Sequence, residues 1–311
     1  MPKLFKRIFK DIKNYKESDL NKNGIYCEFD EKNLYNIYSL IIGPKDTPYV
    51  NGYYFFKLEC PPNYPLSPPK VLFLTQGSYI RFNPNLYTNG KVCVSILNTW
   101  SGPEWTSSCT LNSVLLSILS LLNSNPIQNE PGWDNIETND IRSVNYNKVL
   151  KYANVKIAIL DMIENPPYKF DIFKDLMLEH LHKNKDEIIK YLSSSNTIID
   201  GSVMKSEIFS LNIKTNFSEC HYRLNKYLSI PINKNNVNIF ENYYTNKEEP
   251  IPLTESNNKD NKDNKPKPIR KAPKENSKFF EDGFQKISEN DGKLYEVYLT
   301  TQNKKRWRVI K

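Results

Sequence analysis

Four runs rich in aromatic and aliphatic residues, at residues 25–29, 34–42, 53–60 and 70–74, follow one another with only short turns between them. This constrains the chain strongly, because parallel strands need a long crossover and antiparallel strands do not. The segment reads as an antiparallel meander. In its third run Tyr54, Phe56, Leu58 and Cys60 alternate with Tyr53, Phe55, Lys57 and Glu59, the period of two expected of a sheet covered on one face. Helical patterns flank the meander. Leu4, Phe5, Ile8, Phe9, Ile12 and Tyr15 recur at helical spacing over residues 3–16, with basic residues opposite. Leu111, Val114, Leu115, Ile118, Leu119 and Leu122 mark a buried helix capped by Thr110, which ends at Asn125-Pro126. A third helix carries Tyr146, Val149, Leu150, Ala153, Ile157 and Leu160 and stops at Pro166-Pro167; a fourth, over residues 170–192, uses Phe173, Met177 and Leu181. The fold class is therefore α+β.

Between the last strand and the buried helix, residues 81–100 read as a loop ending in a single exposed thiol. Asn83-Pro84-Asn85 and Asn89-Gly90 are turn formers, so tight turns and side-chain amides hold the backbone there. Cys93 follows at once. Val94, Ile96, Leu97 and Trp100 anchor the segment to the core, as a loop that must hold a nucleophile in place requires. A free cysteine is also commonly just a small core hydrophobe.

The neighbours of Cys93 carry a further signal. Asn85 stands eight residues before Cys93, and Gly90-Lys91-Val92-Cys93-Val94-Ser95-Ile96-Leu97 surrounds it; upstream lie Gly43-Pro44-Lys45-Asp46-Thr47-Pro48-Tyr49 and Tyr64-Pro65-Leu66-Ser67-Pro68-Pro69-Lys70-Val71. In this order and spacing the motifs resemble those of ubiquitin-conjugating enzymes, with Asn83 where the family's marker usually has histidine. Asn98-Thr99-Trp100-Ser101-Gly102-Pro103-Glu104-Trp105 and Asn129-Glu130-Pro131-Gly132-Trp133 are similar to the large Z-type members, which also replace that histidine by asparagine. The resemblance covers roughly the first 190 residues.

The resemblance implies the ubiquitin-conjugating (UBC) fold and a thioester carrier that takes ubiquitin, or a ubiquitin-like protein, from the activating enzyme. Cys93 is the implied nucleophile, and Asn85 the implied oxyanion donor, or alternatively a loop support. Asn83 is expected to pin the turn, and Glu130 to orient the incoming lysine. Lys3, Lys6, Arg7 and Lys10 are the implied contacts with the activating enzyme, the null being a merely solvated basic face. Leu66 and Thr106-Ser107-Ser108 lie in the two loops with which the family meets ubiquitin ligases. Both depart from the usual residues there, phenylalanine and Ser-Pro-Ala, so ordinary RING-type ligases are not assured as partners. Protein substrates are implied; a cofactor, a metal and a membrane partner are not.

Composition sets the remaining bounds. The 311 residues, 39% hydrophobic, suffice for one large domain with extras, and no apolar run approaches the roughly 18 to 20 residues of a membrane span. Five scattered cysteines without a Cys-x-x-Cys pair argue against a disulfide framework and a zinc site and fit a reducing compartment. The expected location is cytoplasmic, with the nucleus also open. The expected organisation is a catalytic core at 1–165, a helical extension at 166–245 with irregular structure beyond residue 196, a disordered linker at 246–276, and a basic β-hairpin tail at 277–311 formed by residues 294–299 and 306–310. The net charge of +8 gathers at the two ends, which can steer acidic partners, although nucleic acid is not expected. Three rivals remain at this point: a cysteine peptidase, a non-catalytic ubiquitin-binding adaptor and a nucleic-acid-binding protein. The peptidase needs a base beside the thiol, yet His180, His182 and His221 all lie outside the motif-bearing core. His180 and His182 read as solvent-side residues of the fourth helix.

Overall fold

The computed structural model describes residues 3–194, 199–231, 285–287, 294–299 and 305–309; the side chains of residues 3–5 and of most of the last three segments fall outside that description. The expected linker at 246–276 lies outside the described residues. By contacts the chain divides into two units, Met1–Glu248 and Glu249–Lys311.

Within the first unit, helix α1 (Lys3–Lys16) leads through a 3₁₀ turn into a sheet of four strands, β1 (Ile25–Phe29), β2 (Asn36–Ile42), β3 (Tyr53–Glu59) and β4 (Lys70–Phe73). They pair in sequence order, antiparallel throughout, with Leu40 opposite both Tyr26 and Phe55, and Phe56 opposite Phe73. The α+β meander expected from the sequence is this sheet. Helix α2 (Leu111–Leu121) begins in a capping box: Ser113 N–H donates to Thr110 Oγ1 at 3.2 Å, and Thr110 N–H donates to Ser113 Oγ at 2.9 Å. Helix α3 (Ile141–Ala153) continues through a π-helical stretch, Asn154–Asp161, into α4 (Met162–Glu164).

The extension departs from its expected form in two places. The single fourth helix is broken at Asn184 into α5 (Lys174–Lys183) and α6 (Lys185–Ser194); Asn184 donates both its backbone N–H and its side-chain N–H to the carbonyl of His180, closing the first helix. The region beyond residue 196, expected to be irregular with short helices packed on the core, has such a helix in α7 (Phe217–Leu228) but also a β-hairpin, β5 (Val203–Ser206) with β6 (Leu211–Lys214). In the second unit, β7 (Gln285–Ile287), β8 (Leu294–Leu299) and β9 (Lys305–Val309) form an antiparallel sheet, so the expected tail hairpin gains a third strand. Among the described residues no helix is long and apolar enough to cross a membrane.

The sheet is covered on both faces where the alternation of β3 suggested one. Tyr53, Tyr54, Phe55 and Phe56 are all fully buried. One set faces the extension. Phe55 packs on Phe170 and Phe173, with ring centroids 4.7 and 6.3 Å apart, and Phe170 meets Tyr38 edge to face at 5.4 Å. Tyr53 donates its hydroxyl to the carbonyl of Met177 at 2.7 Å and lies 3.3 Å from His180 Nδ1. The other set faces the main core, with Tyr54 against Tyr49 and Phe82, and Phe56 against Phe73. An alternating strand with aromatics on both faces is as compatible with two covered faces as with one, and only the extension's placement decides.

His180, read as a solvent-side residue, is buried at 9% exposure; His182, which follows it on α5, is half-buried. Burial disfavours the imidazolium, aided by the charge of Lys183, and lowers the pKa of His180 from 6.5 to about 4. The unfolded chain therefore binds a proton below pH 6.5 that the folded chain refuses until about pH 4. Stability from this group is complete above pH 6.5 and falls through that window by on the order of 3 kcal/mol. In urea titrations at pH 7.5 and pH 4.5, His180→Gln is expected to lose less stability between the two conditions than the wild type; equal losses would show that His180 does not titrate this way.

Candidate functional site

The turn Asn83-Pro84-Asn85 is built from side-chain amides. Asn83, fully buried, donates from Nδ2 to the carbonyl of Leu121 at 2.7 Å, the last residue of α2, and to the Tyr49 hydroxyl at 3.1 Å. Its Oδ1 accepts from Asn85 N–H at 2.9 Å and from Asn129 Nδ2 at 3.2 Å. One amide thus ties together the turn, the end of α2, the loop at residue 129 and the turn that contains Tyr49. An asparagine offers two N–H donors and two acceptor lone pairs, and here all four are used.

Asn85 and Cys93 are bonded reciprocally. Cys93 N–H donates to the Asn85 carbonyl at 2.9 Å, and Asn85 Nδ2 donates to the Cys93 carbonyl at 2.6 Å. Asn85 Oδ1, buried, has no hydrogen-bond partner among the described residues. On the other side Thr99 brackets the cysteine: its hydroxyl donates to the carbonyl of Val92 at 2.8 Å and accepts from the N–H of Val94 at 3.0 Å. Cys93 therefore sits on a backbone held from both flanks.

The expected exposed thiol is a covered one. Cys93 is 1% exposed, yet it is not part of the contiguous apolar core that takes in Val92, Val94 and Leu97. At Gly102, a glycine at φ 130° in the loop after Trp100, a Cβ would approach the Cβ of Ser95 to 3.0 Å, so this loop lies down on the segment just beyond the thiol. Beside Asn85 opens a cleft of about 410 Å³, lined by Trp100, Ser101, Gln128, Asn129, Pro131, Gly132 and Asp134 as well as Asn85.

The other cysteines differ in setting. Burial pushes the thiols of Cys27 and Cys60 up to about 12 and that of Cys220 to about 11, which leaves them neutral and unreactive near pH 7. Cys109, half-buried, lies beside Thr106 N–H at 3.5 Å.

The remaining expected residues fall into place unevenly. Glu130 is half-buried and does not line the cleft; the carboxylate that does belongs to Asp134, four residues on. The loop closes on itself, with Trp133 N–H donating to the Glu130 carbonyl at 3.0 Å, and the turn brings Asp134 to the cleft where the resemblance implied Glu130. Leu66, at 76% exposure, and Thr106, Ser107 and Ser108 are exposed, and Trp105 links their loops by donating Nε1–H to the Pro65 carbonyl at 2.7 Å. Lys6 and Lys10 are exposed on α1; the side chain of Lys3 lies outside the described residues. Arg7 is not a free basic contact. It pairs with buried Asp11 at 3.1 Å, donates to the carbonyls of Ser107 (2.7 Å) and Cys109, and lies over the Tyr64 ring, while the Tyr64 hydroxyl donates to Asp11. A basic residue on a helical surface pattern reads as solvated, and only the approach of two distant loops turns it inward.

Sequence reasoning passed over Asn129, Thr99, Asp134 and Arg81. Arg81 donates from Nη2 to the Pro84 carbonyl at 2.5 Å, inside the turn that presents Asn85. Its position at the head of the motif was the one available signal.

The site is thus a covered thiol on an amide-braced turn whose Asn85 lines a cleft, in a domain that packs a four-stranded meander on helices. Residues 7–153 match the family model described as ubiquitin-conjugating enzyme, and this stretch of the chain belongs to that family. Ubiquitin-conjugating enzyme E2 Z of Homo sapiens is 44% identical over 165 residues, which cover 52% of this chain and 46% of that protein. E2 Z of Xenopus tropicalis is 42% identical over 173 residues, 55% of this chain and 54% of that one. The dual E2 ubiquitin-conjugating enzyme/E3 ubiquitin-protein ligase BIRC6 of Homo sapiens is 39% identical over 178 residues, 54% of this chain but 4% of BIRC6. The chain thus spans about half the length of these E2 Z relatives, and it is Z-type in its likeness.

Replacing Asn83 by Ala leaves the Asn85 N–H without its partner in a buried site and reduces the Leu121 carbonyl and the Asn129 amide to the 3.2 Å bond they make with each other. The expected cost is about 1–3 kcal/mol for each polar group left unsatisfied, less whatever water recovers. Chemical denaturation of Asn83→Ala and Asn83→His checks it: an unchanged midpoint for the alanine variant would deny the hub role.

Proposed function

We propose that the chain accepts the C-terminal carboxyl of ubiquitin, or of a ubiquitin-like protein, as a thioester on Cys93 and passes it to a lysine amine of a protein substrate or to a ligase. The observation that carries this reading is the reciprocal bonding of Asn85 and Cys93 beside an open cleft. In the first step the Cys93 thiolate attacks the thioester carbon on the activating enzyme; a new C–S bond forms and the enzyme's own thiolate leaves. In the second an amine attacks the same carbon, a C–N bond forms, Cys93 leaves as thiolate and the amine gives up a proton. Both pass through a tetrahedral oxyanion. One Asn85 N–H holds the Cys93 carbonyl; its second N–H, with no partner among the described residues, is free to meet that oxygen. Support for the loop and support for the oxyanion are thus compatible in one amide. Because Cys93 is covered at rest, charging includes an opening of its surroundings.

Exposed Lys6 and Lys10 on α1 support contact with an activating enzyme, and exposed Leu66 with Thr106, Ser107 and Ser108 supports contact with a ligase. We assign Arg7 to joining α1 to the second of these loops. Residues 1–165 form the conjugating core in this reading and 166–245 an extension packed on it. Free thiols at all five cysteines support a reducing location, cytoplasmic with access to the nucleus, which imaging of a tagged chain tests.

Incubated with activating enzyme, ATP and ubiquitin, the wild type is expected to form a conjugate that reductant cleaves, Cys93→Ser an oxyester that reductant leaves intact, and Cys93→Ala none. Undiminished conjugate on Cys93→Ala would overturn the reading, and ubiquitin binding without charging would favour the adaptor. Once the wild type is charged, discharge onto free lysine separates the two carboxylates. Asp134→Asn is expected to slow it by on the order of a hundredfold, the lower end for a general acid–base group, and Glu130→Gln to leave it near wild type. The reverse ranking would return the role to Glu130.

A further inference from the structure

Arg81 is gripped from both sides. Its guanidinium carbon lies 3.9 Å from the centroid of the Tyr87 ring and 4.1 Å from that of Phe209. Tyr87 belongs to the turn that leads into Cys93, accepting from Gly90 N–H at 3.0 Å and donating its own N–H to the Lys91 carbonyl at 2.9 Å. Phe209 comes from elsewhere: it sits at the tip of the β5–β6 hairpin, beyond the stretch that matches the family model. A planar cation between two aromatic faces is held by attraction to both, and its flat guanidinium suits this as an ammonium does not.

The backbone at the tip carries a cost for this placement. Phe209 has φ 57° and ψ 16°, and Ser210 has φ 49°; a bulky residue in the left-handed region is uncommon and strained. The hairpin holds it there while its ring also meets Tyr146 edge to face at 6.0 Å, and the Tyr146 hydroxyl donates to the Arg81 carbonyl at 2.8 Å. From Arg81 the linkage continues without a gap. Nη2 fixes the Pro84 carbonyl, the next residue is Asn85, and Asn85 is bonded twice to Cys93. Among the described residues the buried Nε of Arg81 has no hydrogen-bond partner, and the two ring faces and the bond to Pro84 locate the guanidinium.

We propose that Phe209 is a positioning residue for the Cys93 turn: through Arg81, clamped between Phe209 and Tyr87, the hairpin of the extension holds Asn85 and Cys93 in register. The role in transfer rests on the conjugation reading above; the clamp itself does not. The extension is then a working part of the site. Its loss is felt at the thiol and not only in the stability of the fold.

The test uses the full chain and two readouts. The first is the rate of iodoacetamide alkylation at each cysteine, followed by peptide mass spectrometry under native conditions, with buried Cys27, Cys60 and Cys220 as internal controls. Phe209→Ala is expected to raise the rate at Cys93 about five- to tenfold, the size of a lost cation–π contact expressed as a rate factor, and to leave the three controls unchanged. Phe209→Tyr keeps the aromatic face and should behave as wild type. Adding Phe209→Ala to Arg81→Lys should change nothing further, since the lysine has already removed the planar partner. Equal rates at Cys93, additive effects in the double variant, or a rise at all four cysteines together would each overturn the clamp. The second readout is discharge of charged chain onto free lysine, which Phe209→Ala should slow by a similar factor. A wild type that never charges while Cys93 alone responds to Phe209→Ala would sink the conjugation reading and leave the clamp standing; normal charging with no response at Cys93 would sink the clamp alone.

Discussion

Two hydrogen bonds between Asn85 and Cys93, running in opposite directions, are the constraint on which the rest of the site depends. A side-chain amide bonded to the backbone of the residue it serves cannot drift from it. Asn85 is in turn held by Asn83, and Asn83 by the end of α2, by Tyr49 and by Asn129. The site is thus anchored to the core by buried amides, each costly to leave unpaired. Such an arrangement fixes the position of the thiol's backbone more than it tunes any acid–base strength.

Two loops and a helix are joined by a comparable device around Asp11. Buried Asp11 accepts from Arg7 and from Tyr64, while Arg7 reaches across to the carbonyls of Ser107 and Cys109 and Trp105 reaches back to Pro65. The exposed Leu66 and residues 106–108 are therefore presented from a fixed frame. A charge such as that of Asp11 is tolerated at 1% exposure because it is paired and hydrogen-bonded at once.

The extension does for the sheet what neither the meander nor α2 can do alone. Phe170, Phe173 and His180 cover the face carrying Tyr53 and Phe55, which would otherwise lie open to water. It also reaches the active turn through Phe209. The segment beyond the matched domain is bound to the domain by the same aromatic burial that makes the core, so the boundary seen in sequence similarity is not a boundary in packing.

The amino-acid sequence by itself determined the meander, the capped central helix, the amphipathic first helix and the turn that carries Cys93. Each of these rests on local chemistry: alternation along a strand, Thr110 and Ser113 at a helix start, asparagine, glycine and proline at a turn. The resemblance of its motifs to the family also placed Asn83 and Asn85 beside the thiol. Only the tertiary structure decided that the thiol is covered, that Asp134 and not Glu130 faces the cleft, that Arg7 turns inward, that His180 is buried and that Phe209 grips Arg81. Those outcomes depend on contacts between residues some hundred positions apart or on how a loop folds back on itself. Periodicity along the chain reports which face of an element is apolar; it carries no record of which distant segment arrives to cover that face.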